Sequence, residues 1–235
     1  MIFVNPYESN LALIGTTDIP YDGKAEDVEI DTREIDYLLD AVNRYLKTPL
    51  QPADIVHSFS GVRPLYDDSA ANPSAVTRDY VFDVDGDPPL LSVFGGKITT
   101  YRKLAEHALE KLKPFLPHMK VGWTSAAALP GGDMTDGNFG AFLSALRRTH
   151  PWLPEALALH YARLYGTRAQ TLIGEAKDMN ALGRHFGGML YEREIAYLKE
   201  TEWARGAEDI LTRRTKHGLH LSTSEREAVL QHMGA

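Results

Sequence analysis

The sequence predicts an α+β fold, in which a partial mixed or antiparallel sheet is followed by an all-α C-terminal domain. Two observations support this prediction. In the first half of the chain, short runs of β-branched and aromatic residues alternate with turn residues, which is typical of strands. Beyond about Val121 these runs disappear, and the remaining segments have the composition of helices. We therefore expect one domain over residues 1–120 and a helical domain over residues 121–235.

The first predicted element is a β-hairpin. Ile2 to Val4 and Leu11 to Thr16 have the pattern of short strands, and the polar residues between them suit a turn. A helix is expected next, because Asp31 and Glu34 have the spacing of a capping box in front of apolar residues that recur at helical intervals. Pro49 ends that pattern.

Three further strands are predicted, over His57 to Leu65, Val76 to Val84 and Leu90 to Phe94. A helix that begins near Lys97 follows them and ends before Pro114.

The second domain is predicted to be helical throughout. Pro151 suits the first turn of its helix, and Ser222 with Glu225 has the spacing of a second capping box. The loop that starts at Pro130 is the expected flexible boundary region. The predicted helices are Gly137 to Thr149, Pro151 to Leu164, Met189 to Trp203 and Ser222 to Met233.

Composition narrows the range of functions. The 235 residues are 43% hydrophobic and 24% charged, as in an ordinary globular protein. The formal net charge of −7 argues against nucleic acid as a partner, because phosphate neutralisation needs clustered cations. The absence of cysteine excludes disulfides and thiolate metal sites. No apolar run approaches the ~20 residues of a membrane span, so we expect any membrane contact to be peripheral.

The nine histidines are scattered along the chain, and none forms a metal-binding pair at helical spacing with a carboxylate nearby. We therefore interpret them as surface or core imidazoles and predict no metal site. His57 is a candidate catalytic base by residue type only, and a structural imidazole is the preferred interpretation.

The most informative segment runs from Phe94 to Arg102 and contains Gly95, Gly96, Lys97, Ile98 and Thr99. It lies where an apolar run gives way to a helical pattern. Two glycines at such a junction let a ligand approach the backbone, and a helix start offers N–H donors and a positive dipole end. The alternative is a tight turn with no ligand.

Three earlier motifs accompany this segment: Gly15-Thr16-Thr17-Asp18, Ser60-Gly61-Val62-Arg63-Pro64-Leu65 and Thr77-Arg78-Asp79-Tyr80. Together, the four motifs resemble the C-terminal half of FAD-dependent (aerobic) glycerol-3-phosphate dehydrogenase. The likeness continues through Leu129-Pro130-Gly131-Gly132 to the basic stretch that begins at Arg213 and covers essentially the whole chain.

The resemblance implies a reaction and a site. Glycerol 3-phosphate would be oxidised to dihydroxyacetone phosphate, and FAD would pass the electrons to quinone at the inner face of the cell membrane. Arg63, Arg78 and Lys97 would bind the substrate phosphate, and the segment from Gly95 to Thr99 would form one wall of the flavin site. Surface ion pairs with nearby aspartates are the alternative for the three cations. A homodimer is left open.

The family also has an N-terminal Rossmann-type segment whose G-x-G-x-x-G turn holds the FAD pyrophosphate, and this spacing does not occur here. We therefore interpret the chain as a fragment and expect the isolated chain to be inactive.

A second hypothesis is a helical docking or anion-sensing module, based on the basic cluster from Trp203 to His217. A third is another amino-acid or hydroxy-acid oxidase of the same flavin superfamily. For Thr16, Thr17 and Asp18, a turn-capping role competes with a role in the site.

Overall fold

The computed structural model describes residues 2–63 and 79–234. The chain divides into two compact units, Met1–Ala127 and Ala128–Ala235. The division predicted near residue 120 lies a few residues before this boundary, and the assignment of the two domains stays a prediction. The predicted α+β class is confirmed, because helices and small antiparallel sheets make up the described structure.

The first unit begins with the predicted hairpin. Strands β1 (Phe3–Tyr7) and β2 (Leu11–Gly15) are antiparallel, with Phe3 opposite Gly15. Glu8 and Ser9 have positive φ angles of 43° and 69°, which lets the chain reverse over a few residues.

Helix α1 (Thr32–Asn43) starts at the predicted capping box. The Asp31 side chain accepts a hydrogen bond from the Glu34 N–H at 2.9 Å, and the Glu34 side chain accepts one from the Asp31 N–H at 3.0 Å. The helix ends before Pro49, where the helical pattern was predicted to stop. The Asn43 amide side chain pairs with both backbone groups of Leu50, at 2.8 and 3.0 Å, and thereby stabilises the turn after the helix.

A second antiparallel hairpin consists of β3 (Tyr80–Asp85) and β4 (Leu90–Gly95). A 3₁₀ turn (Ile98–Thr100) and helix α2 (Tyr101–Leu112) follow it, as predicted.

The strand predicted from His57 is wrong over residues 57–63, which are not in a strand; the rest of that prediction lies outside the described residues. A β-branched run becomes a strand only where another strand accepts its hydrogen bonds, and each described strand pairs with its neighbour in sequence.

The second unit is mainly helical, and its predicted capping box is confirmed, since Glu225 and Ser222 exchange hydrogen bonds at 2.8 and 3.4 Å.

The second unit is not all-α as expected, because it also contains one short hairpin of β5 (His185–Gly187) and β6 (Leu190–Tyr191). Pro151 lies in a turn before its helix rather than in the first helical turn, where Glu155 stands. The helices are α3 (Phe139–Thr149), α4 (Glu155–Tyr165), α5 (Ala169–Ile173), α6 (Glu192–Thr201) and α7 (Thr223–Gly234).

The hydrophobic core lies in the second unit. Leu146, Tyr161, Leu172, Ile195 and Leu198 are almost fully buried there and belong to one contiguous cluster. Among the described residues of the first unit, Val42 is the one buried hydrophobic side chain. In the described ranges, no helix is both long enough and apolar enough to span a membrane.

Candidate functional site

The turn between β4 and α2 has the backbone conformation that its two glycines suggested. Gly95 and Gly96 have φ angles of 69° and 102°, in the region that side chains with a Cβ rarely adopt. A Cβ on Gly96 would also lie 3.1 Å from the Leu104 side chain on α2. The two glycines therefore let the chain turn sharply and pack closely on the helix.

The helix start after this turn is open to solvent. The Lys97 carbonyl accepts hydrogen bonds from the N–H and the hydroxyl of Thr100, both at 3.0 Å. The Thr100 hydroxyl therefore bonds backward to this carbonyl and makes no side-chain cap at the helix start. Ile98 is 87% exposed, and Lys97 and Thr99 are exposed as well. The first N–H groups of a helix lack intrahelical acceptors, so this segment offers donors and a positive dipole end to an electron-rich ligand.

Of the three cations predicted to bind phosphate, the structure describes two. Arg63 Nη1 lies 2.7 Å from Asp18 Oδ2, and Lys97 Nζ lies 4.0 Å from Asp79 Oδ1. Arg78 lies outside the described residues. Each described cation thus has a carboxylate neighbour, as in the ion-pair alternative, and their convergence on one pocket stays a prediction.

These ion pairs are exposed, which limits their strength. The side chains of Arg63 and Asp18 are 48% and 58% exposed, and those of Lys97 and Asp79 are 48% and 82% exposed. Exposed pairs contribute about 0.2–1 kcal/mol, whereas a hydrogen bond to a charged group contributes about 1.5–3 kcal/mol. A phosphate dianion that reached these cations could therefore replace their carboxylate partners.

Thr17, next to Asp18, makes a structural contact that differs from the predicted turn cap. The Thr17 hydroxyl donates to Glu34 Oε1 at 2.5 Å, and Glu34 also belongs to the capping box of α1. Thr17 therefore ties the end of β2 to the start of that helix. His57 is exposed, and its role as a base stays a hypothesis.

The basic cluster of the helical unit is bound largely within that unit. Arg213 pairs with Asp209 at 3.0 Å, the Arg214 Nε donates to the Glu202 carbonyl at 2.7 Å, and Lys216 donates to the Thr212 carbonyl at 2.5 Å. These three cations already bind groups of their own unit. This weighs against a dedicated anion-sensing or docking surface.

A second polar cluster, which the sequence pattern did not indicate, lies inside the helical unit. Glu194 on α6 is completely buried, and three side chains donate to its carboxylate. The His160 and His217 Nε2 atoms lie 2.9 and 3.2 Å from it, and the Tyr165 hydroxyl donates at 2.6 Å. We call these four residues the Glu194 cluster.

The electrostatics of the Glu194 cluster follow from this geometry. Burial alone would raise the pKa of Glu194, but hydrogen bonds from His160 and His217, together with their charges, lower it to about 2. Burial and the adjacent carboxylate raise the pKa of Tyr165, so that its hydroxyl keeps the proton it donates. Glu194 is therefore an ionised carboxylate inside a hydrophobic core.

Sequence spacing could not reveal this cluster. His160 and Glu194 are 34 residues apart, and Glu194 and His217 are 23 residues apart, so no local motif contains the three. The only available signal was the position of Glu194 among the apolar residues that form the buried face of α6, where an unpaired carboxylate would be costly.

Comparison with known proteins bears on both units. Residues 1–102 match the family described as FAD dependent oxidoreductase. Residues 123–234 match the family described as the C-terminal domain of alpha-glycerophosphate oxidase. The two matches follow each other along the chain in the order that the resemblance implied.

Three curated relatives are similar along nearly the entire chain. D-erythritol 1-phosphate dehydrogenase of Brucella abortus is 56% identical over 98% of this chain. Aerobic glycerol-3-phosphate dehydrogenase of Escherichia coli is 47% identical over 98%, and glycerol-3-phosphate dehydrogenase of Pseudomonas aeruginosa is 48% identical over 99%. In each case the chain spans 46% of the relative's length.

The open helix start behind two glycines and the succession of an oxidoreductase unit and a helical unit agree with these matches. The resemblance stated from the motifs is thereby confirmed. The chain belongs to the FAD-dependent oxidoreductases of the glycerol-3-phosphate dehydrogenase type and includes their helical C-terminal domain.

Proposed function

We propose that this chain is part of an FAD-dependent dehydrogenase that oxidises the secondary alcohol of a short polyol phosphate, with glycerol 3-phosphate as the substrate. The observation that carries the proposal is the exposed helix start from Lys97 to Thr99, behind the Gly95-Gly96 turn, in a chain of this family. Dihydroxyacetone phosphate would be the product. Quinone would be the electron acceptor, at the inner face of the cell membrane.

The residues at the turn suit one wall of a flavin site. The backbone N–H groups from Lys97 to Thr99 face a region without a side-chain cap, and the adjoining glycines leave the backbone accessible. Helix-start donors and the dipole contribute roughly 0.3–2 kcal/mol toward an anionic ligand, which tunes a flavin without holding it. Binding would therefore also require a dinucleotide-binding segment, whose G-x-G-x-x-G turn this chain does not contain. FAD, when bound, would supply the hydride acceptor for the carbon that carries the hydroxyl.

The cations would hold the other end of the substrate. Arg63 can bind a phosphate through two parallel N–H donors, and Lys97 adds a point charge beside the helix start. Arg78 is proposed as the third phosphate ligand on the resemblance alone. Fixing the phosphate orients the substrate carbon for transfer, which is how remote binding contributes to catalysis.

A second substrate is favoured by one specific observation. The Brucella abortus relative, at 56% identity, is named for D-erythritol 1-phosphate, whereas the two relatives named for glycerol 3-phosphate are 47% and 48% identical. Both substrates combine a phosphate with a hydroxylated chain, so the proposed phosphate ligands suit either. The kcat/KM ratio for the two compounds, measured with the natural full-length protein and an artificial electron acceptor, decides between them.

The phosphate role of Arg63 can be tested in the same assay. Arg63→Met should lower kcat/KM for the phosphorylated substrate about ten- to hundredfold, because a charge-assisted hydrogen bond is lost. It should leave the slow oxidation of glycerol, which lacks phosphate, unchanged. Arg33→Met is the matched control, since Arg33 also pairs with an aspartate, at 2.6 Å, on the surface of the same unit.

Equal losses for glycerol and for the phosphorylated compound would refute phosphate binding by Arg63. Efficient turnover of glycerol itself would refute a phosphorylated substrate altogether. It would point instead to another oxidase of the flavin superfamily.

A further inference from the structure

Three separate helical elements bring metal-ligating atoms together in the Glu194 cluster. His160 comes from α4, Glu194 from α6 and His217 from a 3₁₀ turn (His217–Leu219). Their ligand atoms all lie within 4.8 Å of one another. The proposed flavin and phosphate site uses none of these residues.

The orientation of the rings is compatible with a ligand set. Both histidines direct Nε2 toward the same carboxylate, and each nitrogen faces a different carboxylate oxygen, at 2.9 and 3.2 Å. A nitrogen that donates its N–H in this geometry can direct its lone pair to the same point after it loses the proton. Two imidazoles and one carboxylate are a recurrent donor set for zinc.

The separations approach those that one ion requires. Ligands about 2.1 Å from a tetrahedral zinc ion lie about 3.4 Å apart, close to the two nitrogen–oxygen separations of 2.9 and 3.2 Å. The greatest separation in the set, at most 4.8 Å, would have to close by up to about 1.4 Å. The His160 side chain is 15% exposed and that of His217 is 5% exposed, so His160 lies at the solvent edge, where an ion would enter.

Charge and the surrounding groups favour a cation at this position. The Glu194 carboxylate is fully buried, and a buried negative charge requires a positive partner. The Tyr165 hydroxyl, 2.6 Å from Oε1, would hold the carboxylate in place as an outer hydrogen-bond donor. Such donors orient metal ligands and strengthen binding.

We propose that His160, Glu194 and His217 bind one transition-metal ion of the zinc class inside the helical unit. The ion would replace protons shared between the imidazoles and the carboxylate, and would cross-link α4, α6 and the 3₁₀ turn. Its role would be structural, because three helical elements converge on it.

Calorimetric titration of the metal-free 235-residue chain with Zn²⁺ alone tests the proposal. We expect one ion per chain, release of protons on binding, and a rise in melting temperature with Zn²⁺ concentration. Glu194→Gln and His160→Gln should each weaken binding at least about tenfold, since each removes a ligand atom. Co²⁺ should give the visible absorption of a low-symmetry site in the unsubstituted chain and not in these variants.

His185→Gln is the matched control, because His185 is exposed in the same unit and outside the cluster. If Glu194→Gln does not fold, His160→Gln still decides, since His160 lies at the edge of the cluster. No binding by the folded chain would overturn the proposal and leave the cluster as a hydrogen-bonded network. Zn²⁺ binding that is equal in the unsubstituted chain and His160→Gln would also overturn it, because the ion would then sit on surface histidines.

Discussion

At the scale of single residues, several charged side chains of this protein stabilise turns. Asp209 is the clearest case, because its carboxylate accepts hydrogen bonds from the N–H groups of Arg205 and Gly206, at 2.9 and 3.1 Å, and from Arg213 at 3.0 Å. The hydrogen bonds from Arg205, Gly206 and Arg213 lower the pKa of Asp209 to about 2. The basic cluster that suggested an anion site in the sequence is therefore partly a capping arrangement.

The lowered pKa of Asp209 predicts a pH-dependent contribution to stability. A carboxyl group whose pKa is lower in the folded state stabilises the fold above its ordinary pKa of 3.8, and the contribution disappears as the pH falls toward 2. Asp209→Ala should therefore lower the melting temperature at about pH 6, and the difference from the unsubstituted chain should shrink below about pH 4.

Melting curves followed by circular dichroism across this pH range provide the measurement. Glu208→Ala is the control, since it removes an adjacent exposed acid. A melting-temperature difference for Asp209→Ala that stays constant down to pH 2 would contradict the interpretation of Asp209 as an ionised cap.

At the scale of elements, the loop from Pro130 to Asp133 turned out to pack against its own unit. The N–H of Thr167 donates to the Gly131 carbonyl at 3.0 Å, and the Thr167 hydroxyl donates to Asp133. Gly131 and Gly166 both have positive φ angles, of 84° and 55°, and their backbones touch. The loop that was expected to be a flexible boundary is therefore attached to the end of α4, where two glycines allow a contact that a Cβ would block.

This contact predicts that Gly166 cannot be replaced without loss. Gly166→Ala should lower the free energy of unfolding by at least about 2 kcal/mol, because the new Cβ overlaps the Gly131 carbonyl and the backbone has a positive φ angle. Urea unfolding gives the measurement. Gly206→Ala is the control, since a Cβ at Gly206 meets nothing within 4 Å. Similar unfolding midpoints for the two variants would show that the loop rearranges around the new Cβ at little cost in free energy.

At the scale of the whole molecule, the two units differ in how they bury apolar surface. The helical unit has the contiguous core, whereas described residues of the first unit such as Val56 and Phe59 are 67% and 74% exposed. Because hydrophobic burial is the main stabilising contribution to folding, most of the stability of this chain should come from the helical unit.

The core of the helical unit predicts large effects from small deletions. Leu198→Ala should lower the free energy of unfolding by about 2–5 kcal/mol, because Leu198 is 1% exposed and its loss leaves a cavity. Leu230→Ala, in the same unit but 58% exposed, should change it by less than about 1 kcal/mol. Denaturant unfolding of both variants measures the difference, and a small effect of Leu198→Ala would mean that the core repacks or that this unit does not limit stability.

Much of the fold could be predicted from sequence because it depends on local rules. The capping boxes at Asp31 and Ser222 and the glycines before α2 have requirements that lie within a few neighbouring residues. The strand predicted from His57 was wrong over the described residues 57–63, because a strand also depends on a partner, which the pattern of one segment does not contain. The short hairpin of β5 and β6 was missed because its strands have only three and two residues.

The sequence by itself determined the α+β class and the family, and it supplied the segment proposed as a flavin wall, since these depend on periodicity and on short motifs of neighbouring residues. Only the tertiary structure decided which distant side chains meet. It paired Arg63 with Asp18, attached Gly131 to Gly166, and joined His160 and His217 to a buried Glu194. The physical reason is that contacts between residues far apart in the chain depend on how helices pack, and packing is a property of the whole core.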